Sequence, residues 1–299
     1  MNDFKSTLPT APDNKGDERR GHQAGTAPAF AEKSKKGSYQ WDAADYASHS
    51  GAQQQWAREL TARLALSGRE DILDIGCGDG KVTAELATLV PEGSVTGVDS
   101  SRAMLDLAVA TFPPDRHPNL SFQLQDARAL SFHERFDRIF SNAALHWIID
   151  HRPVVAGMFR ALRSGGLAVV QMGGRGNAAG VIAVIDDLMR KARWRDYFQD
   201  FVFPYGFYGP EEYGEWLAEA GFSIRAIALI GKDMVHEDRN AFTGWVRTTW
   251  LPYTDRVPES LREQFIEALV SEYLARHPAD GRGAVHTAMQ RLEFVAAKP

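Results

Sequence analysis

The chain has 299 residues, 44% hydrophobic and 24% charged, with a formal net charge of −5. That length suits one large α/β domain or two modest ones, and the acidic balance argues against a nucleic-acid partner. No apolar run approaches the roughly 20 residues a membrane helix needs, and a single cysteine, Cys77, excludes an intrachain disulfide and a cysteine-rich metal site. A cytoplasmic protein without membrane attachment or bound metal is the expectation.

Residues 1–37 carry seven Lys/Arg and five Asp/Glu among Pro, Gly and small polar residues. They lack the apolar stretch of a secretory signal and cannot bury enough surface to offset ordering entropy. A disordered arm is expected there, with a single domain over 38–299. Order should begin near Tyr39. Trp56, Leu60 and Leu64 recur every four residues, giving a helix one apolar face.

Short apolar runs then alternate with helical patterns. DILDIG (71–76), SVTGVD (94–99), LSFQLQD (120–126), RFDRIFSN (135–142) and GLAVVQM (166–172) read as strands, with KVTAELATLV, 101–111 and VVAGMFRALR as helices between them. This alternation predicts a doubly wound, mostly parallel sheet with helices on both faces. Beyond it, EEYGEWLAEAGF reads as a helix stopped by Gly221, FSIRAIALI (222–230) as a sixth strand and RLEFVAA (291–297) as a seventh. Between the last two, 231–288 is expected to be a helical cap. Within it Ser260 and Glu263 form a capping box after Pro258, and Leu261, Phe265, Leu269 and Tyr273 continue at spacing four.

Ligands of such sheets sit beyond the carboxyl ends of the strands. Asp74-Ile75-Gly76-Cys77-Gly78-Asp79-Gly80 follows the first strand. Its glycines permit a tight turn and close ligand approach, but a glycine loop alone also serves nicotinamide and flavin enzymes. Those usually read G-x-G-x-x-G; here the spacing is G-x-G-x-G, with an acid two residues before the first glycine. That acid suits a cationic ligand better than a pyrophosphate.

ILDIGCGDG resembles the first motif of the class I S-adenosylmethionine-dependent methyltransferases at every position. The resemblance implies that Asp99, ending the second strand, binds the ribose hydroxyls, and that Asp126, ending the third, contacts the adenine amino group beside the Ala127 backbone. It further implies a cofactor site built from Asp74, Gly76, Cys77, Gly78 and Gly80, bordered by Asp79, Ser100, Met104, Asn142 and Ala143. S-adenosyl-L-methionine would be consumed and S-adenosyl-L-homocysteine released.

The fourth strand leads into SNAALHW (141–147). Asn142-Ala143-Ala144 stands where nucleic-acid and protein amino-group methyltransferases often carry an Asn/Asp-Pro-Pro-Tyr type sequence. The apolar-His-Trp pattern is similar instead to small-molecule carboxyl methyltransferases: plant enzymes for salicylate-type acids, insect juvenile hormone acid enzymes and, with Gln for His, bacterial trans-aconitate methyltransferases. The last group is the nearest resemblance, covering most of the chain from Trp41 onward through VDSSRAM, SNAALHWIIDH, FTGWVRTTW and RLEFVAA. It implies esterification of a small carboxylic acid. Trp147 would supply an indole N–H to the substrate carboxylate and Gln53, in the Gln53-Gln54-Gln55 run, an amide, with His146 beside them. Arg247, Trp250 and Tyr253 in the cap, and Arg291 opening the last strand, are candidates for holding the rest of the substrate.

Three other readings remain open from the sequence. The same cofactor motifs would serve a carbon or nitrogen methyltransferase of another small metabolite, with His146 as base. A cofactor-binding regulator that has lost catalysis would keep them too, and a nicotinamide enzyme is the cheapest alternative to test. Oligomeric state is not legible.

Overall fold

The computed structural model describes the backbone from Gly51 and the side chains from Trp56 to Pro299. The arm expected over 1–37, Tyr39, Trp41, Tyr46 and Ser50 lie outside the described residues.

Seven strands form one sheet in the order β3-β2-β1-β4-β5-β7-β6. They are β1 (Asp71–Ile75), β2 (Ser94–Asp99), β3 (Leu120–Leu124), β4 (Phe136–Asn142), β5 (Leu162–Gly173), β6 (Ser223–His236) and β7 (Val285–Ala297). β1 to β5 run parallel; β7 is antiparallel to both β5 and β6. Helices α1 (Gly51–Thr61), α2 (Lys81–Leu89), α3 (Arg102–Thr111) and α4 (Arg152–Ala161) flank the parallel half. This is the doubly wound sheet that the alternation predicts.

The local reasons are legible. β1 buries Ile72 to Ile75 without alternation, as a strand covered on both faces must. Ser101 caps α3 by accepting the Met104 N–H. Pro113 and Pro114 follow α3, where helix cannot continue. Strand order reverses between β1 and β4, because β2 and β3 lie on one side of β1 and β4 on the other. The crevice at that reversal is where such sheets hold ligands.

One sheet face packs α1 and α2 through Leu60 and Leu86, with Leu64 of the 3-10 turn Ala62–Leu64 beside them. The other packs α4 and α6 (Pro210–Ala220) through Val155, Met158 and Leu217. A third apolar core lies apart from these two, built from α5 (Ala179–Arg190), α7 (Arg239–Thr249), α8 (Leu251–Thr254) and α9 (Glu259–Arg276). Phe242, Phe265 and Leu269 are fully buried in it. No helix among the described residues is long and apolar enough to cross a membrane.

Two expectations for the cap need correction. The stretch 231–288 is not wholly helical: β6 runs on to His236, β7 begins at Val285, and the helices occupy Arg239–Arg276. The added strand length pairs with itself, from Gly231 opposite Gln290 to His236 opposite Val285, so each extension satisfies the other's backbone. Nor does the capping box form. α9 starts at Glu259 with Pro258 at the cap position, which puts Ser260 inside the first turn instead of before it. The spacing-four face of α9 is buried at Phe265, Leu269 and Tyr273.

Candidate functional site

The glycine loop closes tightly over the end of β1. The Gly76 and Cys77 N–H groups donate to the Val98 carbonyl at 2.8 and 3.1 Å, and Gly80 N–H donates to Cys77 O at 3.0 Å. Gly76, Gly78 and Gly80 all have positive φ, a conformation costly for other residues. Gly76 also has no room: a Cβ there would sit 2.1 Å from the Ala144 Cβ. A Cβ on Gly78, by contrast, would face open space.

Two acids sit beneath this loop. Asp99 accepts the Gly78 N–H through Oδ2 at 3.0 Å and the Ser101 N–H through Oδ1 at 2.8 Å. Asp74 is buried and accepts the Thr83 hydroxyl at 2.7 Å. Burial, opposed by that hydroxyl and reinforced by the charge of Asp99, raises the Asp74 carboxyl to about 7. Burial likewise raises Asp99, and burial beside these acids pushes the Cys77 thiol well up, so it is a neutral wall rather than a nucleophile. Met104 is buried near the start of α3, and Ser100 is exposed beside Asp99. Asp79 pairs with Lys81 at 2.9 Å.

The third acid is arranged differently. Asp126 caps the short 3-10 turn Ala127–Ala129 by accepting the Arg128 N–H at 2.8 Å. Its carboxylate is also gripped by the Arg128 guanidinium, which lowers its pKa. A side chain that is both a cap and an ion-pair partner has part of its acceptor capacity in use. The donor set nevertheless fits the cofactor that the motif implies. Carboxylates whose pKa values are raised by burial suit a cationic ligand, and the backbone at Gly78 is open for its approach.

β4 ends at Asn142, and Ala143 turns with positive φ while its N–H donates to Gln171 O at 2.9 Å. The 3-10 turn Leu145–Trp147 follows. It puts Ala143, His146 and Trp147 on the wall of an open pocket. The segment 205–207 closes one side, with Tyr205 and Phe207 stacked at 5.1 Å. Gly206 N–H donates to His146 O at 2.9 Å, and Gly206 is needed there because a Cβ would lie 2.2 Å from Ile148 O. The cap contributes Trp245, Thr249 and Trp250, and β7 contributes Met289 and Arg291.

His146 and His151 divide two roles. His151 is structural: Nε2 donates to Ile148 O at 2.8 Å, so Nδ1 takes the Tyr213 hydroxyl at 2.6 Å. His146 lines the pocket, and its Nδ1 accepts the Gly173 N–H at 3.4 Å, which leaves the proton on Nε2. Burial, then the positive charge of Arg291, hold its pKa well below the usual histidine value. It is a neutral donor toward the pocket.

Of the substrate candidates, Trp147, His146, Trp250 and Arg291 come together. Arg247 does not join them: it is half-exposed and pairs with Glu263 at 3.4 Å, while Trp250 sits past the end of α7, where the chain has left helical geometry. Tyr253 is fully buried against Phe201, 4.6 Å between ring centroids, and belongs to the cap core. Gln53 lies in the first turn of α1, but its side chain is outside the described residues. Sequence reasoning missed Trp56, Asn177, Tyr205, Phe207, Met234, Trp245, Thr249 and Met289 as pocket residues. Trp56 gave a signal only as part of a helix face, yet the Arg291 guanidinium lies 5.3 Å over its ring. Met289 and Arg291 share the pocket-facing side of β7 because strand side chains alternate.

The chain matches the model of a methyltransferase domain over residues 72–166. It is similar to the trans-aconitate 2-methyltransferase of Deinococcus radiodurans, 30% identical, with 87% of this chain and 98% of that one covered. An uncharacterized methyltransferase of Schizosaccharomyces pombe is 32% identical, over 86% of this chain and 98% of its own. Among solved structures, Haemonchus contortus phosphoethanolamine N-methyltransferase 2 in complex with S-adenosyl-L-methionine shares the fold. Its TM-score is 0.54 at 18% identity, covering 86% of this chain and 56% of that one.

Proposed function

Because the chain belongs to the class I S-adenosylmethionine-dependent methyltransferases, in the family of the trans-aconitate 2-methyltransferases, we propose that it esterifies a small-molecule carboxylic acid, as a cytoplasmic enzyme. The observation that carries this reading is Trp147 on a pocket wall with the buried Arg291, next to a neutral, donating His146. One end of the site thus offers donors to an anion, while the glycine-loop end offers acids to a cation.

S-adenosylmethionine, when bound, supplies a sulfonium methyl group that an oxygen nucleophile takes in one in-line displacement, leaving S-adenosylhomocysteine. A carboxylate is already ionised at neutral pH, so the protein needs no general base. Its residues have to orient the carboxylate and exclude water, and orientation of this kind can contribute roughly 7–11 kcal/mol. Neutral donors are the better choice near the reacting oxygens, because a strong ion pair there would stabilise the ground state more than the transition state. The indole N–H of Trp147 and the Nε2–H of His146 meet that requirement. Arg291 then serves the overall negative charge of the substrate. Methylation at carbon or nitrogen would want a positioned base, and His146, with Nδ1 engaged by Gly173, is poorly suited to be one.

The test is transfer of labelled methyl to a panel of acids, followed by release of the label as methanol in mild base. An ester releases it. Trp147→Phe, which keeps the ring and loses the N–H, should lower kcat/KM for the acid about tenfold and leave S-adenosylhomocysteine affinity unchanged. Base-stable label, or an unaffected Trp147→Phe variant, would overturn the carboxylate reading.

A further inference from the structure

The pocket has a composition that narrows the acid. Its walls are mostly rings and thioethers: Trp56, Tyr205, Phe207, Met234, Trp245 and Met289. Among the described residues lining it, Arg291 is the single cationic side chain; Lys232, over the Trp56 ring, is taken up by Glu59. His146 adds no charge, since burial and the Arg291 charge keep it neutral. The described lining therefore carries at most one full positive charge.

Two further donors are unclaimed. The indole N–H groups of Trp245 and Trp250 are buried on the pocket wall without a hydrogen-bond partner. Both side chains are almost wholly enclosed, at 3% and 2% exposure. Their rings meet edge to face, with centroids 5.8 Å apart. A buried donor without an acceptor costs about 1–3 kcal/mol, so a native site that keeps two of them has an acceptor to receive. An N–H is a neutral donor and binds a carbonyl or carboxylate oxygen without demanding a second full charge.

The apolar character also continues outward. Val202 is 78% exposed and Phe203 40%. The Phe203 ring lies 5.6 Å from both Tyr205 and Phe207, the two rings that close the pocket. Exposed apolar groups continuous with an apolar pocket mark a surface that a ligand covers.

Resting on the carboxylate reading above, we propose that the substrate is a monocarboxylic acid with an apolar body, aryl or branched alkyl, and not a di- or tricarboxylate. Its carboxylate is held at the Trp147–Arg291 end with help from the Trp245 and Trp250 N–H groups, and its body lies among the rings toward Phe203. A second or third carboxylate would have to enter the aromatic wall without a partner. Burying an unpaired charge is far more costly than burying apolar surface. This separates the chain from the trans-aconitate activity in the names of its relatives.

The experiment uses the full chain loaded with S-adenosylhomocysteine and measures binding of 3-phenylpropanoate, cinnamate, octanoate, trans-aconitate and citrate. Titration calorimetry and indole fluorescence report it, since four tryptophans line the pocket. The same acids are then compared for methyl transfer. The apolar monoacids should bind at least tenfold tighter than trans-aconitate and give base-labile label with at least a tenfold higher kcat/KM. Trp245→Phe and Trp250→Phe should each weaken monoacid binding three- to tenfold while leaving S-adenosylhomocysteine affinity unchanged. Tighter binding and faster esterification of trans-aconitate would overturn this inference and leave the carboxylate reading standing. No binding of any acid, or base-stable label only, would overturn both.

Discussion

The two ends of this site are opposites in charge and in construction. The end proposed for the cofactor is made of backbone turns and polar residues at four strand ends: Asp74 and Asp99, which the fold encloses, the half-exposed Asp126, and Asn142. The end proposed for the substrate is made of side chains spread from Trp56 to Arg291, held by a separate core. At the first, burial raises the pKa of Asp74 and Asp99; at the second, burial lowers that of His146 and of His236 in the adjoining cap. Burial thus opposes the charged form at both ends, the carboxylate at the first and the imidazolium at the second.

The sharpest way to break the first end is steric. Gly76→Ala places a Cβ at 2.1 Å from the Ala144 Cβ on a backbone with positive φ. We expect a loss of about 4–5 kcal/mol in stability by urea denaturation, together with loss of cofactor binding. Adding Ala144→Gly should restore the steric part only, leaving about 1 kcal/mol from the backbone conformation.

Titration separates the two ends next. Asp74 has an ordinary value of 3.8 and lies at about 7 in the fold. The folded protein therefore holds a proton that the unfolded chain has released, and stability falls as pH rises from about 4 to 7. The loss should be on the order of 4 kcal/mol, and Asp74→Asn should abolish that slope. The histidines act in the reverse sense. His236 drops from 6.5 to about 4 through burial, so below 6.5 the unfolded chain binds the extra proton and stability falls as pH falls toward 4. That limb should cost on the order of 3 kcal/mol and flatten in His236→Gln. Urea denaturation from pH 4 to 8 without ligand reads both limbs. A flat profile in either direction would contradict the electrostatic division.

A smaller effect is expected at Asp99, the acid proposed to bind the cofactor ribose. Asp99→Asn keeps an acceptor for the Gly78 N–H but removes the charge, and should weaken S-adenosylhomocysteine binding by about 2 kcal/mol, roughly thirtyfold. Binding of acids to the pocket should not change. The smallest effect belongs to Arg247, whose ion pair with Glu263 is on the surface. Arg247→Ala should alter stability by less than about 0.5 kcal/mol and leave kcat/KM for any acid unchanged.

What the sequence determined by itself was the cofactor half and the sheet. Strand-helix alternation, ILDIGCGDG and three acids at strand ends are contiguous signals, because a backbone cradle is written in consecutive residues and a parallel sheet brings its strand ends to one edge. Even there, only the tertiary structure shows that Asp74 is sealed against Thr83 and that Asp126 is shared with Arg128. In the substrate half the sequence marked Trp147, His146, Trp250 and Arg291, but placed Arg247 and Tyr253 beside them and passed over Trp56 and Trp245. Neighbours on a helix look alike in sequence; which of them faces a pocket is decided by what the helix packs against. The same holds for the cap ends, where pairing between β6 and β7 overrode the helical reading of 231–236 and 285–288. A pocket walled by side chains from seven separate segments has no local signature, since the proximity of its parts exists only once the core beneath them has formed.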